Sequence, residues 1–364
     1  MIFFVAPSED TWAIAEYLQQ SGRDPARWPK TVTYGEIVER GRLSLGTYIF
    51  AGLDRLTRTE REIAGQCCEA LRRASPDIRL INRPTEVLLR YELLEASFER
   101  RRNTFRAHRP WEMNRCRRFP VFVRPEREHL GSLTPRLHNR RELAVALAAT
   151  VLRGFRLRDL IIVEYCDTAD PSGVYRAYSA VRVGDRIMPK NLIHNRDWIT
   201  KWDGRLIDAD KAREQLEFVE GDPHAAWLRE TFDLARISYG RIDYAVKDGV
   251  PQVWEINTNP TLARRIGAPS TVSPEQWSIV APVQEGFVRR FEAALDEIDS
   301  DVDPGCAVPI EITPRQARRL EAETRRRRRL MARLTAIARA ARVPIRLARR
   351  LGASWTGFAR RPGA

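Results

Sequence analysis

The sequence predicts a chain of mixed α/β and α+β class, in which a small parallel α/β domain precedes a larger body. Three short apolar runs, at residues 2–6, 46–51 and 78–82, are separated by helical patterns near residues 9–20 and 59–73. Strands that alternate with helices favour a parallel sheet. Further along the chain, strand patterns joined by short turns indicate antiparallel hairpins.

Length and composition indicate a globular chain with more than one core. The 364 residues exceed one small domain, and a hydrophobic content of 43% is enough to bury substantial cores. No apolar run reaches about 18 residues, and the first residues lack the basic start of a signal peptide. The five cysteines have no CxxC spacing, which indicates reduced thiols. We therefore expect a cytoplasmic protein.

The net charge of +14 is concentrated at the C-terminal end of the chain. Residues 310–364 contain sixteen arginines and three glutamates, so the rest of the chain carries a net charge of only +1. Such a segment is typical of a helix that lies on an anionic membrane surface, of a nucleic-acid contact, of a docking site for an acidic protein, or of a solvated tail. Peripheral membrane association is therefore an alternative to a purely cytoplasmic location.

The strongest chemical signal is a predicted hairpin in residues 239–262, with the sequence YGRIDYAVKDGVPQVWEINTNPTL. Side chains alternate between the two faces of a strand, so Arg241 and Asp243 share a face of the first strand. By the same alternation, Glu255 and Asn257 share a face of the second strand. The hairpin therefore carries two acids and an amide near its centre.

The register of this hairpin decides whether its two acids meet. A two-residue turn at Asp248-Gly249 would leave the acids on opposite faces of the ribbon. A three-residue turn at residues 247–249 instead sets Arg241 opposite Glu255, with Asp243 diagonally beside it. We expect the three-residue turn.

Oxygen donors from Asp, Glu and Asn side chains suit a hard cation, and Mg²⁺ prefers a few carboxylates together with the phosphate oxygens of a nucleotide. The order R-x-D, short turn, E-x-N-x-N-P in this hairpin resembles the ATP-grasp superfamily. The resemblance implies that Asp243, Glu255 and Asn257 bind Mg²⁺ beside the phosphates of ATP. It also implies that Arg241 and Asn259 face the transferred phosphate or the acceptor.

The resemblance covers most of the body of the chain and implies further nucleotide contacts. Arg124 ends an apolar strand at a position where the family usually has a lysine, and an arginine can bind two phosphate oxygens through its fork. Glu164 ends a buried strand that resembles the hinge beside adenine and ribose. Arg176, Lys190 and Lys201 are further cationic candidates for the nucleotide or the acceptor. For each residue the alternative is an ordinary strand-end or solvated charge.

We expect three parts: an N-terminal α/β domain in residues 1–84, an ATP-grasp domain in residues 85–298 with subdomains 85–163 and 164–298, and a linker with an arginine-rich helical tail in residues 299–364. The resemblance implies an ATP- and Mg²⁺-dependent ligase that activates a small-molecule or peptide carboxylate as an acyl-phosphate for attack by an amine or another nucleophile. Two alternatives stay open. One is a kinase on the same fold, and the other is a nucleotide-binding protein without turnover that is recruited by its basic tail to a membrane or nucleic acid.

Overall fold

A computed structural model describes residues 1–21, 24–25, 28–127, 131–200, 205–262, 274–300 and 302–340. The strands are β1 Ile2–Ala6, β2 Lys30–Thr33, β3 Arg42–Ser44, β4 Thr47–Phe50, β5 Leu80–Ile81, β6 Ala107–His108, β7 Val121–Pro125, β8 Leu160–Glu164, β9 Tyr175–Val183, β10 Arg186–Asn195, β11 Arg205–Leu206, β12 Tyr239–Lys247, β13 Val250–Asn257 and β14 Ala307–Pro309. The α-helices are α1 Trp12–Ser21, α2 Tyr34–Arg40, α3 Arg58–Ala74, α4 Arg90–Glu99, α5 Arg140–Leu152, α6 Ala209–Gly221, α7 Ala225–Ala235, α8 Pro274–Ile298 and α9 Pro314–Ala340.

The chain divides into two compact units. Unit 1 contains residues 1–104 and 167–313, and unit 2 contains residues 105–166 together with α9. The hairpin formed by β12 and β13 lies in unit 1. The strands that end in Arg124 and Glu164 lie in unit 2.

Unit 1 begins with a four-stranded parallel sheet of order β2-β1-β4-β5. All five residues of β1 and all four residues of β4 are buried, as expected for parallel strands that are covered on both faces. The sequence-based prediction of a mixed chain that opens with a parallel α/β arrangement is therefore confirmed. Strand β2 was missed because its four residues are too few to establish a period.

The second sheet of unit 1 has five antiparallel strands in the order β11-β10-β9-β12-β13. One face packs against α6 and α7 through an apolar cluster that includes Tyr178, Phe218, Phe232, Ile242, Tyr244 and Val253. The other face contributes Val181, Val183, Met188 and Tyr239 to a cluster that also contains Phe4 of β1 and Phe291 of α8. The two sheets of unit 1 thus share one core.

Asn82 joins the two sheets of unit 1 through backbone hydrogen bonds. Its Oδ1 accepts from the N–H groups of Ser238 (2.9 Å) and Tyr239 (3.0 Å). Its Nδ2 donates to the carbonyl oxygens of Tyr239 (2.6 Å) and Phe50 (3.2 Å). Asn82 has a positive φ of 60°, a conformation that asparagine tolerates better than most residues. This side chain therefore fixes the start of β12 beside the end of β4.

Unit 2 contains a three-stranded antiparallel sheet of order β6-β8-β7 covered by α5. The predicted cap of α5 is present, since Asn139 Oδ1 accepts from the N–H of Glu142 at 3.0 Å. Leu143 and Leu147 of α5 pack on Val121 and Val123 of β7 in a buried cluster. This cluster is the core of the sheet that carries Arg124 and Glu164.

Helix α9 carries most of the described arginines of the C-terminal segment. It begins at Pro314, and residues 325–329 form an uninterrupted run of five arginines, four of them exposed. Residues 341–364 of the predicted tail lie outside the described residues. In the part of the chain that the structure describes, no helix combines the length and apolar character needed to cross a membrane. The anionic partner of the tail stays a prediction.

Candidate functional site

The hairpin of β12 and β13 turns through two residues. Lys247 pairs directly with Val250, which leaves Asp248 and Gly249 as the turn. Their φ angles are 50° and 78°, and positive φ at both positions is the signature of a type I′ turn, which Asp-Gly favours. The predicted three-residue turn is therefore wrong, because the positive φ of Asp248 allows the tighter connection.

A β-bulge at Trp254 brings the two acids to the same face despite this turn. Tyr244 pairs with Val253 and the preceding residue, Asp243, pairs with Glu255, so Trp254 is an extra residue in β13. Without the bulge, Asp243 would lie opposite Trp254. Asp243 is thus directly opposite Glu255, and not diagonal to it as predicted.

The remaining polar residues of the hairpin follow from this register. Arg241 pairs with Asn257, and not with Glu255 as predicted. Residues directly opposite each other in an antiparallel pair project from the same face. Arg241, Asp243, Glu255 and Asn257 therefore share one face, and we call these four residues the acid face.

Each acid of the acid face contacts an arginine. Arg241 donates to both carboxylate oxygens of Asp243, from Nε to Oδ1 at 2.9 Å and from Nη2 to Oδ2 at 2.8 Å. Arg90, the first residue of α4, donates from Nη2 to Oε2 of Glu255. Burial alone would lower the pKa of Arg241, but Asp243 and, more weakly, Glu255 raise it above its ordinary value. Together with Arg90, the acid face is therefore close to neutral, with two positive and two negative charges in contact.

The segment that follows β13 is held by its own side chains and by the N-terminal part of unit 1. Asn257 Oδ1 accepts from the N–H of Asn259 at 2.8 Å, and Asn259 Nδ2 donates to the carbonyl oxygen of Asp10 at 2.9 Å. Thr258 Oγ1 accepts from the N–H of Leu53 at 2.9 Å. Asn259 is 5% exposed, and its Oδ1 has no hydrogen-bond partner among the described residues. A buried acceptor in this state is available to a donor from a ligand.

Lys190 is a third cation near the acid face, after Arg241 and Arg90. A register shift between Pro189 and Asn191 marks a bulge in β10 at this residue. Lys190 Nζ donates to the carbonyl oxygen of Thr261 at 2.7 Å and lies 5.3 Å from the ring centre of Phe287. Burial and the neighbouring Arg241 lower the pKa of Lys190 to about 7, against a smaller opposing effect of Asp243. The ammonium group is therefore easily neutralised in the free protein.

Of the other cationic candidates, Arg176 is not brought to the acid face. Arg176 and Tyr178 are two residues apart in β9 and therefore project from the same face of the sheet. Tyr178 pairs with Tyr244, the neighbour of Asp243 in β12, so Arg176 lies on the opposite face from Asp243. Its guanidinium donates to Asp170 Oδ2 at 2.6 Å and to Glu214 Oε1 at 2.7 Å. Lys201 lies outside the described residues.

Arg124 and Glu164 occupy neighbouring strands of unit 2. Arg124 pairs with Ile161 across β7 and β8 and is half-buried. Glu164 is buried, and its carboxylate lies 3.3 Å from Nε2 of His108. Burial would lower the pKa of His108, but hydrogen bonds with Cys116 and Glu164 raise it to about 9. The carboxylate of Glu164 thus lies within hydrogen-bonding distance of a buried histidine, and its contact with a nucleotide stays a prediction.

The donor set of the acid face fits a hard cation. Within the described ranges, no three side chains of the His, Cys, Asp and Glu types come together as a metal site. The acid face instead offers two carboxylates and one amide oxygen, on adjacent strands and directly opposed. Mg²⁺ is commonly bound by one or two carboxylates with the remaining ligands from water and phosphate oxygens. The residue types therefore fit Mg²⁺ that arrives with a nucleotide.

Sequence reasoning missed two residues that contact the hairpin. Arg90 is the first residue of α4, where the helix dipole disfavours a cation. An arginine at this position is the feature of the sequence that could have indicated a nearby carboxylate partner. Asn103 binds the backbone of β13 beside the bulge, and nothing in its local sequence marks it. The bulge itself was missed because strand alternation alone treats every residue of β13 as paired.

Several solved structures resemble this chain in the course of the backbone. They include a D-alanine–D-alanine ligase from Bacillus anthracis complexed with ATP, which is 13% identical with a TM-score of 0.45 and shares 81% of this chain and 97% of its own. They also include an L-amino acid ligase from Bacillus licheniformis, at 14% identity, TM-score 0.43 and coverage of 81% and 73%, and a D-cycloserine synthetase, at 16% identity, TM-score 0.45 and coverage of 81% and 99%. TM-scores below 0.5 describe a loose likeness in the course of the chain and carry no argument about activity. No family model matches the chain, and no curated protein matches it.

Proposed function

We propose that this protein is an ATP- and Mg²⁺-dependent ligase that joins a carboxylate to an amine. The observation that supports the proposal is the acid face, where Asp243 and Glu255 lie directly opposite each other with Asn257 beside them. Such opposed carboxylates on rigid strands are costly to bring together unless a cation uses them. In this protein each of the two carboxylates contacts an arginine.

Asp243, Glu255 and Asn257 are the residues that would hold Mg²⁺. Bound there with a nucleotide, Mg²⁺ supplies charge neutralisation at the phosphate oxygens. Because the two arginines already balance the two acids, Mg²⁺ without nucleotide is expected to bind weakly. Phosphate oxygens supply the missing negative charge, so the metal and the nucleotide are expected to bind together.

Arg241 and Lys190 are the cations that we assign to the transferred phosphate. Arg241 is fixed by its two bonds to Asp243, made from Nε and Nη2, and against the described residues its Nη1 remains for phosphate oxygens. Lys190 would take up a proton on its Nζ when a phosphate approaches, because a negative neighbour favours the charged form. Both residues act by orientation and charge, which is most of what phosphoryl transfer requires from a protein.

The proposed reaction transfers the terminal phosphoryl group of ATP to an oxygen of the substrate carboxylate. The products of this step are ADP and an acyl-phosphate. The amine nitrogen then attacks the acyl carbon, the amide bond forms, and inorganic phosphate leaves with the bonding electrons. We assign Asn259 to a donor group of the acceptor substrate, because its buried Oδ1 has no hydrogen-bond partner among the described residues.

The test measures ADP release with Mg²⁺ across pools of amino acids, amines and small carboxylic acids. The proposal expects ADP and phosphate in equal amounts with a new amide, and it expects Glu255→Gln to lower the rate at least about a hundredfold because a charged metal ligand is lost. Glu217→Gln, which changes an exposed carboxylate on α6, is the matched control and should leave the rate unchanged. Equal rates for the two variants would contradict the proposal.

Nucleotide binding without turnover is the second candidate function. The observation that favours it is that both acids of the acid face already contact arginines, which could occupy them permanently. This candidate expects binding of Mg²⁺–ATP without release of ADP under any pool of substrates. A stable phosphate ester among the products would instead indicate a kinase.

A further inference from the structure

Helix α5 of unit 2 is apolar on two opposite faces. One face packs on the sheet through the buried Leu143 and Leu147. The other face is turned to solvent. It consists of Val145, Ala148, Ala149 and Leu152, at the i, i+3, i+4 and i+7 spacing of one helix face, and we call it the outer face of α5. Val145 is 65% exposed and Leu152 is 89% exposed, whereas a helix that is apolar all round is normally covered on every side.

The apolar surface continues past the end of α5 and has arginines at both ends. Two more exposed apolar side chains follow, Val151 and Leu157. Arg141 lies one turn before Val145 and therefore on the outer face itself. The other exposed arginines at the two ends are Arg140, Arg153, Arg156 and Arg158. Residues 140–158 contain a single acid, Glu142, so positive charge dominates the border of the apolar surface.

Unit 2 is also the positive part of the chain. Residues 105–166 contain thirteen arginines and six acids, a net charge of +7, and the arginine-rich segment after residue 313 belongs to the same unit. The other residues before residue 310 carry a net charge of −6. The exposed aliphatic surface therefore lies on the unit that attracts anions.

We propose that the outer face of α5 rests on an anionic bilayer surface. A bilayer takes up aliphatic side chains at the boundary between its headgroups and acyl chains, and anionic headgroups attract arginines at the edge of the same surface. Because the outer face runs along the helix, α5 would lie parallel to the plane of the bilayer, with its arginines extended toward the headgroups. This inference goes beyond the ligase function and does not depend on it.

The charges around the outer face disfavour three other occupants. In a pair of α5 helices from two copies of the chain, arginines would meet arginines in the parallel and in the antiparallel orientation. Residues 341–364 contain six arginines and no acid, so the border of the outer face would repel them. A nucleic acid would find aliphatic side chains between the arginines, without an aromatic ring on which a base could stack.

A fluorescent label tests whether the outer face enters a bilayer. In a chain with Cys306→Ser, which removes the exposed thiol, Leu152→Cys carries an environment-sensitive fluorophore. Asp210→Cys, at an exposed position of α6 in unit 1, carries the same fluorophore as the matched control. Vesicles of equimolar phosphatidylcholine and phosphatidylserine should shift the emission at residue 152 to the blue, and lipids brominated on their acyl chains should quench it. The label at residue 210 should show neither change, and vesicles of phosphatidylcholine alone should affect residue 152 much less.

Cosedimentation with the same vesicles measures the contribution of each side chain in the unlabelled full chain. Val145→Gln combined with Leu152→Gln keeps the charge and should weaken binding at least about tenfold, because exposed apolar area no longer leaves water. Val250→Gln, which changes an exposed aliphatic residue of unit 1, is the matched control and should bind as the parent does. Arg141→Gln should weaken binding about fivefold at low salt, and Arg58→Gln on α3 much less. The basic tail is present in every variant, so its contribution cancels in the comparison.

Four results would overturn the proposal, of which the simplest is an unchanged emission at residue 152 with anionic vesicles. Equal binding of the parent and the double glutamine variant would mean that the tail alone holds the vesicles. A blue shift at residue 152 with soluble polyglutamate, but not with vesicles, would assign the outer face to an acidic protein. Self-association of the parent in sedimentation without vesicles, absent from the double glutamine variant, would assign the outer face to a second copy of the chain.

Discussion

Lys190→Met should change how the stability of this protein depends on pH. The ammonium group of Lys190 is buried beside the guanidinium of Arg241, and these two causes lower its pKa from the ordinary 10.5 to about 7. Between these values the unfolded chain binds a proton that the folded chain does not. The free energy of unfolding therefore rises with pH from about 7 to about 10.5, and the methionine variant lacks this contribution.

The magnitude follows from the two pKa values. At pH 8, folding displaces a proton from nearly every molecule. At pH 10 the unfolded lysine is still mostly protonated, because its pKa is 10.5, so folding still displaces a proton from most molecules. The unmodified protein should therefore gain on the order of 2–3 kcal/mol of stability relative to Lys190→Met between pH 8 and pH 10. Methionine is a suitable replacement because it is unbranched, apolar and of similar length.

The assay is urea unfolding of both proteins at pH 8, 9 and 10 without nucleotide. Other groups titrate in this range, but they are common to both proteins and cancel in the difference. We expect the difference in unfolding free energy between the two proteins to move steadily in favour of the unmodified protein as pH rises. Parallel pH curves would refute the reasoning, because they would mean that Lys190 titrates normally in the folded state.

Two further predictions test the framework around the acid face. Asn82→Ala should lower the free energy of unfolding by roughly 3 kcal/mol, because it leaves buried backbone groups of Ser238 and Tyr239 without partners. Urea unfolding measures this loss. A change below about 1 kcal/mol would contradict the role of Asn82 as a link between the sheets. Arg176→Met should keep the affinity for Mg²⁺–ATP within about twofold of the parent, since Arg176 lies on the face of the sheet opposite to Asp243. A large loss of affinity in a calorimetric titration would show that the face with Arg176 also contacts the nucleotide.

The elements of the fold could be predicted where a period was long enough to detect. The parallel strands at residues 2–6 and 46–51 and the helix over residues 59–73 agree with β1, β4 and α3 to within one or two residues. Short strands such as β2 and β6 were missed, because two to four residues do not establish a period. These strands form through sheet partners that are distant in sequence.

The sequence correctly predicted which polar residues share a face within each strand of the hairpin, and it wrongly predicted how the two strands pair. Alternation along each strand correctly grouped Arg241 with Asp243, and Glu255 with Asn257. The relation between the strands depends on the bulge at Trp254, and the neighbouring Val253 bonds with Asn103, which lies 150 residues earlier in the chain. The local sequence carries no signal for a bulge. A three-residue turn was therefore predicted as the feature that brings the two acids to one face, whereas the bulge does so.

The bonds from Asn82 to β12 have a practical consequence for anyone who shortens this protein. A fragment that starts after residue 84 would lose Phe4 and the other side chains of β1 and β4 against which Tyr239 packs. It would also leave the beginning of β12 without the amide that anchors it. Trimming the N-terminal sheet would therefore be expected to yield aggregated material, and the first 84 residues should accompany the hairpin in any fragment prepared for binding studies.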